Sequence, residues 1–122
     1  MSDEVRYIDP DTGGEKGAKK ARYDLLPITP LNMIAEHFAA GADKYADHNY
    51  RRGYPWSLSY AAAMRHMVAF WDGESYDGET GTHHLAAVVF HCMALMEYDM
   101  NRPRYGRFDD RWCSVDDYEQ PV

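Results

Sequence analysis

Four carboxylates, Asp72, Glu74, Asp77 and Glu79, crowd into one short stretch, with His66 before it and His83 and His84 after it. Carboxylates this close repel one another unless a cation or water sits between them. The stretch is therefore either a metal site or a solvated turn, and Gly73, Gly78 and Gly81 suit the second as well as the first. A mixed carboxylate and imidazole set suits Mn²⁺, Fe²⁺ or Zn²⁺, whereas carboxylates with water suit Mg²⁺. His66 lies in LSYAAAMRHMVAFW, a run apolar on almost every side and suited to burial. A buried imidazole must find a partner, since leaving it without one costs on the order of a few kcal/mol. That partner is either a backbone carbonyl or a ligand shared with the nearby acids.

A second dense stretch, GADKYADHNYRRGYPWS, offers Lys44, Tyr45, Asn49, Tyr50, Arg51, Arg52 and Trp56. Cations meet phosphate oxygens, an Asn amide reads a base edge or a sugar hydroxyl, and an aromatic ring stacks on a purine. The same residues also describe a surface loop whose rings anchor it to a core.

Three helices are expected to position these groups. In the first, Thr29 is a candidate N-cap with Pro30 at the first helical position, where its missing N–H costs nothing. Leu31, Ile34, Ala35, Phe38, Ala42 and Tyr45 recur at helical spacing and mark its buried face. After a loop punctuated by Gly53 and Pro55, Ser57 can cap a second helix over 58–71. A third, over 85–98, is apolar on every face except at His91, although its Val-Val-Phe run also fits a strand. A connection of about a dozen residues lets the last two helices run antiparallel. The acids then meet His83 and His84 at one end, with His66 just over one turn below. His84 and His91 share a helix face, so His91 either lines the same cavity or is a satisfied core residue. Two helices that are apolar all round and one amphipathic helix cannot cover one another in a single small chain. Self-association as a homodimer or homotetramer is expected to complete an all-α bundle.

The chain has 122 residues and a formal charge of −7, which fits one domain and argues against a general nucleic-acid binder. It divides into a basic arm at 1–22, expected to be flexible, with Lys16, Lys19, Lys20 and Arg22; a helical body at 23–100; and an aromatic tail at 101–122 that packs on the body or a neighbour. Cys92 and Cys113 make no disulfide framework or zinc pair. No apolar run reaches the ~18 residues of a membrane span, so a cytoplasmic protein is expected.

KKARYDLLP, GADKY, Asn49, Pro55 with Trp56, RHMVAF, GESYDGETG and His84 with Leu85, in this order and spacing, resemble the phage and bacterial dATP/dGTP diphosphohydrolase family. That family is akin to the MazG-type all-α nucleotide pyrophosphohydrolases. The resemblance runs from about residue 17 to 98 and implies a helical, oligomeric enzyme using Mg²⁺ or Mn²⁺. Its reaction would cut a purine deoxynucleoside triphosphate, dGTP or dATP, into monophosphate and pyrophosphate. Some phage members of this kind feed dGMP into synthesis of 2-aminoadenine for the genome, inside the infected host. Carried over by position, His66, Glu74, Asp77 and His84 would hold metal, and Glu74 or Glu79 would take a proton from water. Lys20, Arg22 and Lys44 would hold phosphates, with Tyr45, Asn49 and Trp56 near the nucleoside. The chain departs from the family pattern at Ala87 and His91, where a histidine and an asparagine are common. Two rivals make different demands. A metal phosphohydrolase of HD type needs an adjacent His-Asp pair that neither helix has. A non-catalytic phage protein binding a host partner has no reason to respond to metal.

Overall fold

The computed structural model describes residues 5–18 and 20–112, so Lys19 and residues 113–122, Cys113 among them, lie outside the described residues. The architecture is mostly helical, with one two-stranded hairpin, β1 (Val5–Ile8) and β2 (Glu15–Ala18), ahead of α1 (Ile28–Lys44), α2 (Trp56–Trp71), α3 (His84–Met100) and the short α4 (Arg102–Tyr105). The hairpin falls in the arm read from composition as unstructured. Its turn is closed by Asp9, whose carboxylate accepts the amides of Asp11 and Thr12 at 2.9 Å each, an Asx turn of the sort short polar side chains form.

α1 begins earlier than its expected cap. Pro27 occupies the N-cap, Thr29 is already helical, and the Leu31 amide donates to the Pro27 carbonyl at 3.1 Å. Pro30 still sits among the first-turn residues that lack an N–H partner in any helix, so it does no harm there. The buried face also differs from the periodic one. His37 is the buried residue of α1, while Leu31 and Tyr45 are exposed, because α1 is covered by α3 along a narrow strip only.

α2 starts at Trp56, with Pro55 before it, and Ser57 lies inside the helix as the residue capped rather than the cap. Asp110, from the tail, accepts both the Ser57 amide at 2.9 Å and its hydroxyl at 2.5 Å. A carboxylate on the first-turn amides satisfies an otherwise orphaned donor and meets the positive end of the helix dipole. α3 is a helix and not a strand; its N-cap is His83, whose Nδ1 accepts the Leu85 amide at 3.0 Å.

α2 and α3 form the main packing pair and run antiparallel. The start of α2 stacks on the end of α3 through Trp56 and Tyr98, with ring centroids 6.3 Å apart, while His66 meets His84 at the other end. Trp56, Tyr98 and Tyr105 make the buried aromatic core, with Tyr50, Tyr54, Leu95 and Phe108 against it. The tail thus reaches the body through Tyr105 and Phe108. Tyr98 and Tyr105 donate their hydroxyls to the carbonyls of Tyr50 at 2.5 Å and Arg51 at 2.7 Å, which pins the 3-10 turn Asn49–Arg52 onto the core. Gly53 ends that turn with φ +94°, and a Cβ there would run into the Phe108 ring. Among the described residues no helix is long and apolar enough to cross a membrane.

Candidate active site

The turn between α2 and α3 folds back on itself. Tyr76 and His83 form an antiparallel bridge, the Asp77 amide donates to the Thr82 carbonyl at 2.9 Å, and the Gly81 amide donates to the Asp77 carbonyl at 2.8 Å. Asp77 Oδ1 accepts the Glu79 amide at 2.9 Å, leaving Oδ2 turned toward His66 Nδ1, 3.9 Å away. His66 Nδ1 and His84 Nδ1 stand 2.9 Å apart, and one ligand atom from each of His66, Asp77 and His84 lies within 4.8 Å of the others. Two donors at right angles about a cation with bonds of about 2.1 Å would be separated by about 3.0 Å, so this nitrogen pair has the spacing of adjacent ligands.

Glu74 sits behind this group. His84 Nε2 donates to Glu74 Oε1 at 2.6 Å. The hydrogen is therefore on Nε2, and the Nδ1 lone pair faces His66 and Asp77. A carboxylate that holds the far nitrogen of a ligating histidine fixes its tautomer and strengthens it as a donor. The structure thus brings His66, Asp77 and His84 together, whereas Glu74 is engaged on the outer side of His84. Burial lowers the His66 pKa, and Asp77 only partly offsets this, so its ring stays neutral with a lone pair to give. Burial likewise lowers His37, assisted by His66, and takes His91 down to about 4, assisted by His66 and His37.

The three groups open onto a cleft of about 1000 Å³ between α1, α2, the 49–54 segment and the acidic turn. Of the residues expected at a nucleotide, Lys44, Tyr45 and Asn49 line it, as does Glu79, whose Oε1 is 3.7 Å from Lys44 Nζ. Lys20, Arg22 and Trp56 do not. Arg22 is held by Asp24 through two bonds of 2.9 and 2.8 Å. Trp56 is buried in the aromatic core, stacked on Tyr98 and with the guanidinium groups of Arg102 and Arg111 over its ring, so it is not open to a base in the cleft. Aromatic walls come instead from Phe38, Tyr50, Tyr54 and Phe90, with exposed Tyr45 near the charged end.

Two cleft residues were not singled out by type and spacing. His37 Nδ1 is 2.7 Å from the Thr82 hydroxyl, tying α1 to the acidic turn, and its ring is 6.5 Å from that of His66. A signal existed: His37 interrupts the Ile34–Phe38–Ala42 stripe, where a histidine needs a reason. Arg65 also lines the cleft, beside His66. His91 satisfies both of its readings, lining the cleft while Nδ1 bonds the fully buried Ser59 hydroxyl at 2.9 Å, which in turn bonds Tyr54 at 2.6 Å. Ala87 is buried and offers no ligand.

A model of the dATP/dGTP diphosphohydrolase N-terminal family matches residues 10–111. The chain belongs to that family. No curated protein matches it, and no solved structure does. Membership points to diphosphohydrolase chemistry on dATP or dGTP, and the match takes in every cleft residue named above, from α1 through the acidic turn to α3.

Proposed function

We propose that this protein hydrolyses a purine deoxynucleoside triphosphate, dGTP in preference to dATP, to the monophosphate and pyrophosphate in a reaction that requires a divalent metal. The observation that carries the reading is the convergence of His66, Asp77 and His84 at one end of a cleft whose walls hold cations and aromatic rings. These two imidazoles and one carboxylate would hold the metal, with Glu74 orienting His84 from behind. The donor set favours Mn²⁺ over Mg²⁺. A divalent cation there would neutralise phosphate oxygens and make water more acidic.

The protein's own groups divide the remaining work. Lys44 lies where it can meet the phosphates, and the Phe38, Tyr50 and Phe90 rings give the nucleoside an apolar wall. Glu79, which lines the cleft two residues beyond Asp77, would accept the proton of the attacking water. The product dGMP would enter nucleotide-pool remodelling for 2-aminoadenine DNA in a phage-infected cell.

We also propose that the active form is a homodimer or homotetramer. Tyr60, Met64, Met67, Val68 and Trp71 recur along one exposed stripe of α2, and Met93, Met96 and Met100 are exposed on α3. An apolar surface of that continuity is characteristic of an interface.

The test is to incubate the purified protein with each dNTP and NTP, with Mg²⁺, with Mn²⁺ and with chelator, and to separate the products by chromatography. The expected result is metal-dependent monophosphate and pyrophosphate from dGTP, more slowly from dATP. Intact nucleotide under every condition would overturn the reading, and release of whole triphosphate would assign the reaction to a different bond.

A further inference from the structure

Three cations line the cleft, and two of them have local partners. Lys44 has Glu79 at 3.7 Å and the Tyr45 ring at 5.2 Å, and Arg51 Nε donates to the Tyr50 hydroxyl at 3.2 Å. Arg65 makes no ion pair or hydrogen bond among the described residues, although it is exposed in the same cleft as Asp77 and Glu79.

Its place on α2 gives this meaning. Leu58, Ala62 and Arg65 are spaced i, i+4 and i+7, so they form one stripe of the helix, and all three line the cleft. The stripe begins at apolar Leu58, which lines the cleft with Tyr54, and ends about 10 Å further on at Arg65, which lines it with His66. One end of the wall suits a base and the other suits phosphates, so the helix sets the direction in which a nucleotide lies. A guanidinium carries five donors in a planar fork that matches phosphate oxygens two at a time.

We infer that Arg65 is a catalytic residue that holds the departing pyrophosphate. This rests on the diphosphohydrolase reading above. In that reaction the water oxygen bonds to the α-phosphorus and the bond from that phosphorus to the α,β-bridging oxygen breaks. The electron pair stays on the bridging oxygen, which leaves with pyrophosphate, and the water's proton passes to Glu79. Negative charge grows on the leaving oxygen as the bond lengthens, and a guanidinium that meets it there is worth more in the transition state than in the ground state.

The experiment compares wild type with Arg65→Ala and Arg65→Lys, using steady-state hydrolysis of dGTP with Mn²⁺, thermal melts, and addition of millimolar guanidinium to the assay. Both variants should melt with the wild type, because an exposed side chain without a partner holds nothing together. For Arg65→Ala, kcat should fall by about 100-fold or more while KM moves by less than about 3-fold, with Arg65→Lys recovering little. Guanidinium should restore part of the Arg65→Ala rate and leave Arg65→Lys unchanged. An unaltered kcat in both variants, a loss confined to KM, or a loss that guanidinium does not restore would overturn the inference. A wild type without activity would remove the reading beneath it, a result distinct from active wild type with active variants.

Discussion

His84 shows how much one side chain settles when both its nitrogens are assigned. Glu74 holds Nε2 at 2.6 Å, and the lone pair of Nδ1 is thereby committed to the His66 and Asp77 side. Glu74→Gln should keep the fold and lose about 10- to 100-fold in metal affinity or turnover, read by metal titration and by rate. A variant with full affinity and full rate would leave Glu74 no orienting role. The depressed histidines also predict a pH dependence of the metal-free protein. His91 titrates near 6.5 when unfolded and near 4 when folded, so between those values the unfolded chain binds more protons and stability falls as pH falls. The denaturation free energy should drop by roughly 1 to 2 kcal/mol from pH 7 to 5 in chelator, and His91→Phe should flatten that slope. His66 and His84 were legible in the sequence because polar residues stand out in or beside apolar helices. His37 stood out less, since an amphipathic helix is expected to carry polar residues and only its place beside the Ile34–Phe38–Ala42 stripe marks it.

The helices and their order were also legible, because runs as long and apolar as those of α2 and α3 leave few other outcomes. Their starts were not. Local cap rules point to Thr29 and Ser57, but the α2 start is satisfied by Asp110, 53 residues away in the tail. No local pattern encodes a partner at that distance. Asp110→Ala should therefore destabilise the protein by about 1 kcal/mol, visible as a melting shift of a few degrees, even though residue 110 lies far outside α2 in the chain. Gly53→Ala should cost more, about 1 to 3 kcal/mol, since the new methyl meets the Phe108 ring and the backbone stands at positive φ. The same reach explains Trp56: Pro-Trp after a loop reads as an exposed ring at a site, yet Tyr98, Tyr105 and two arginines from the end of the chain enclose it.

For the molecule as a whole, the single chain leaves Val68 at 63% and Trp71 at 86% exposure on the α2 stripe, which sets a test of association. Val68→Glu should shift sedimentation of the protein from the assembled mass toward that of one chain, while its helical circular dichroism is kept. Wild type that sediments as a single chain would sink the oligomer. An excess of apolar surface over what one chain covers was legible in composition, but how the three helices divide exposed from buried surface was not, because it depends on the angle at which α1 meets α3.

His66, Asp77 and His84 all belong to the one helical hairpin that residues 56–100 make, whereas the aromatic end of the cleft is assembled across α1 and the 49–54 segment. The two ends therefore have different histories within a single folding event. The histidine end requires only contacts close in sequence and can form early; the aromatic end waits for α1 to dock. Substitutions in α1 or residues 49–54 can therefore reshape the aromatic end of the cleft without touching the hairpin that carries His66, Asp77 and His84.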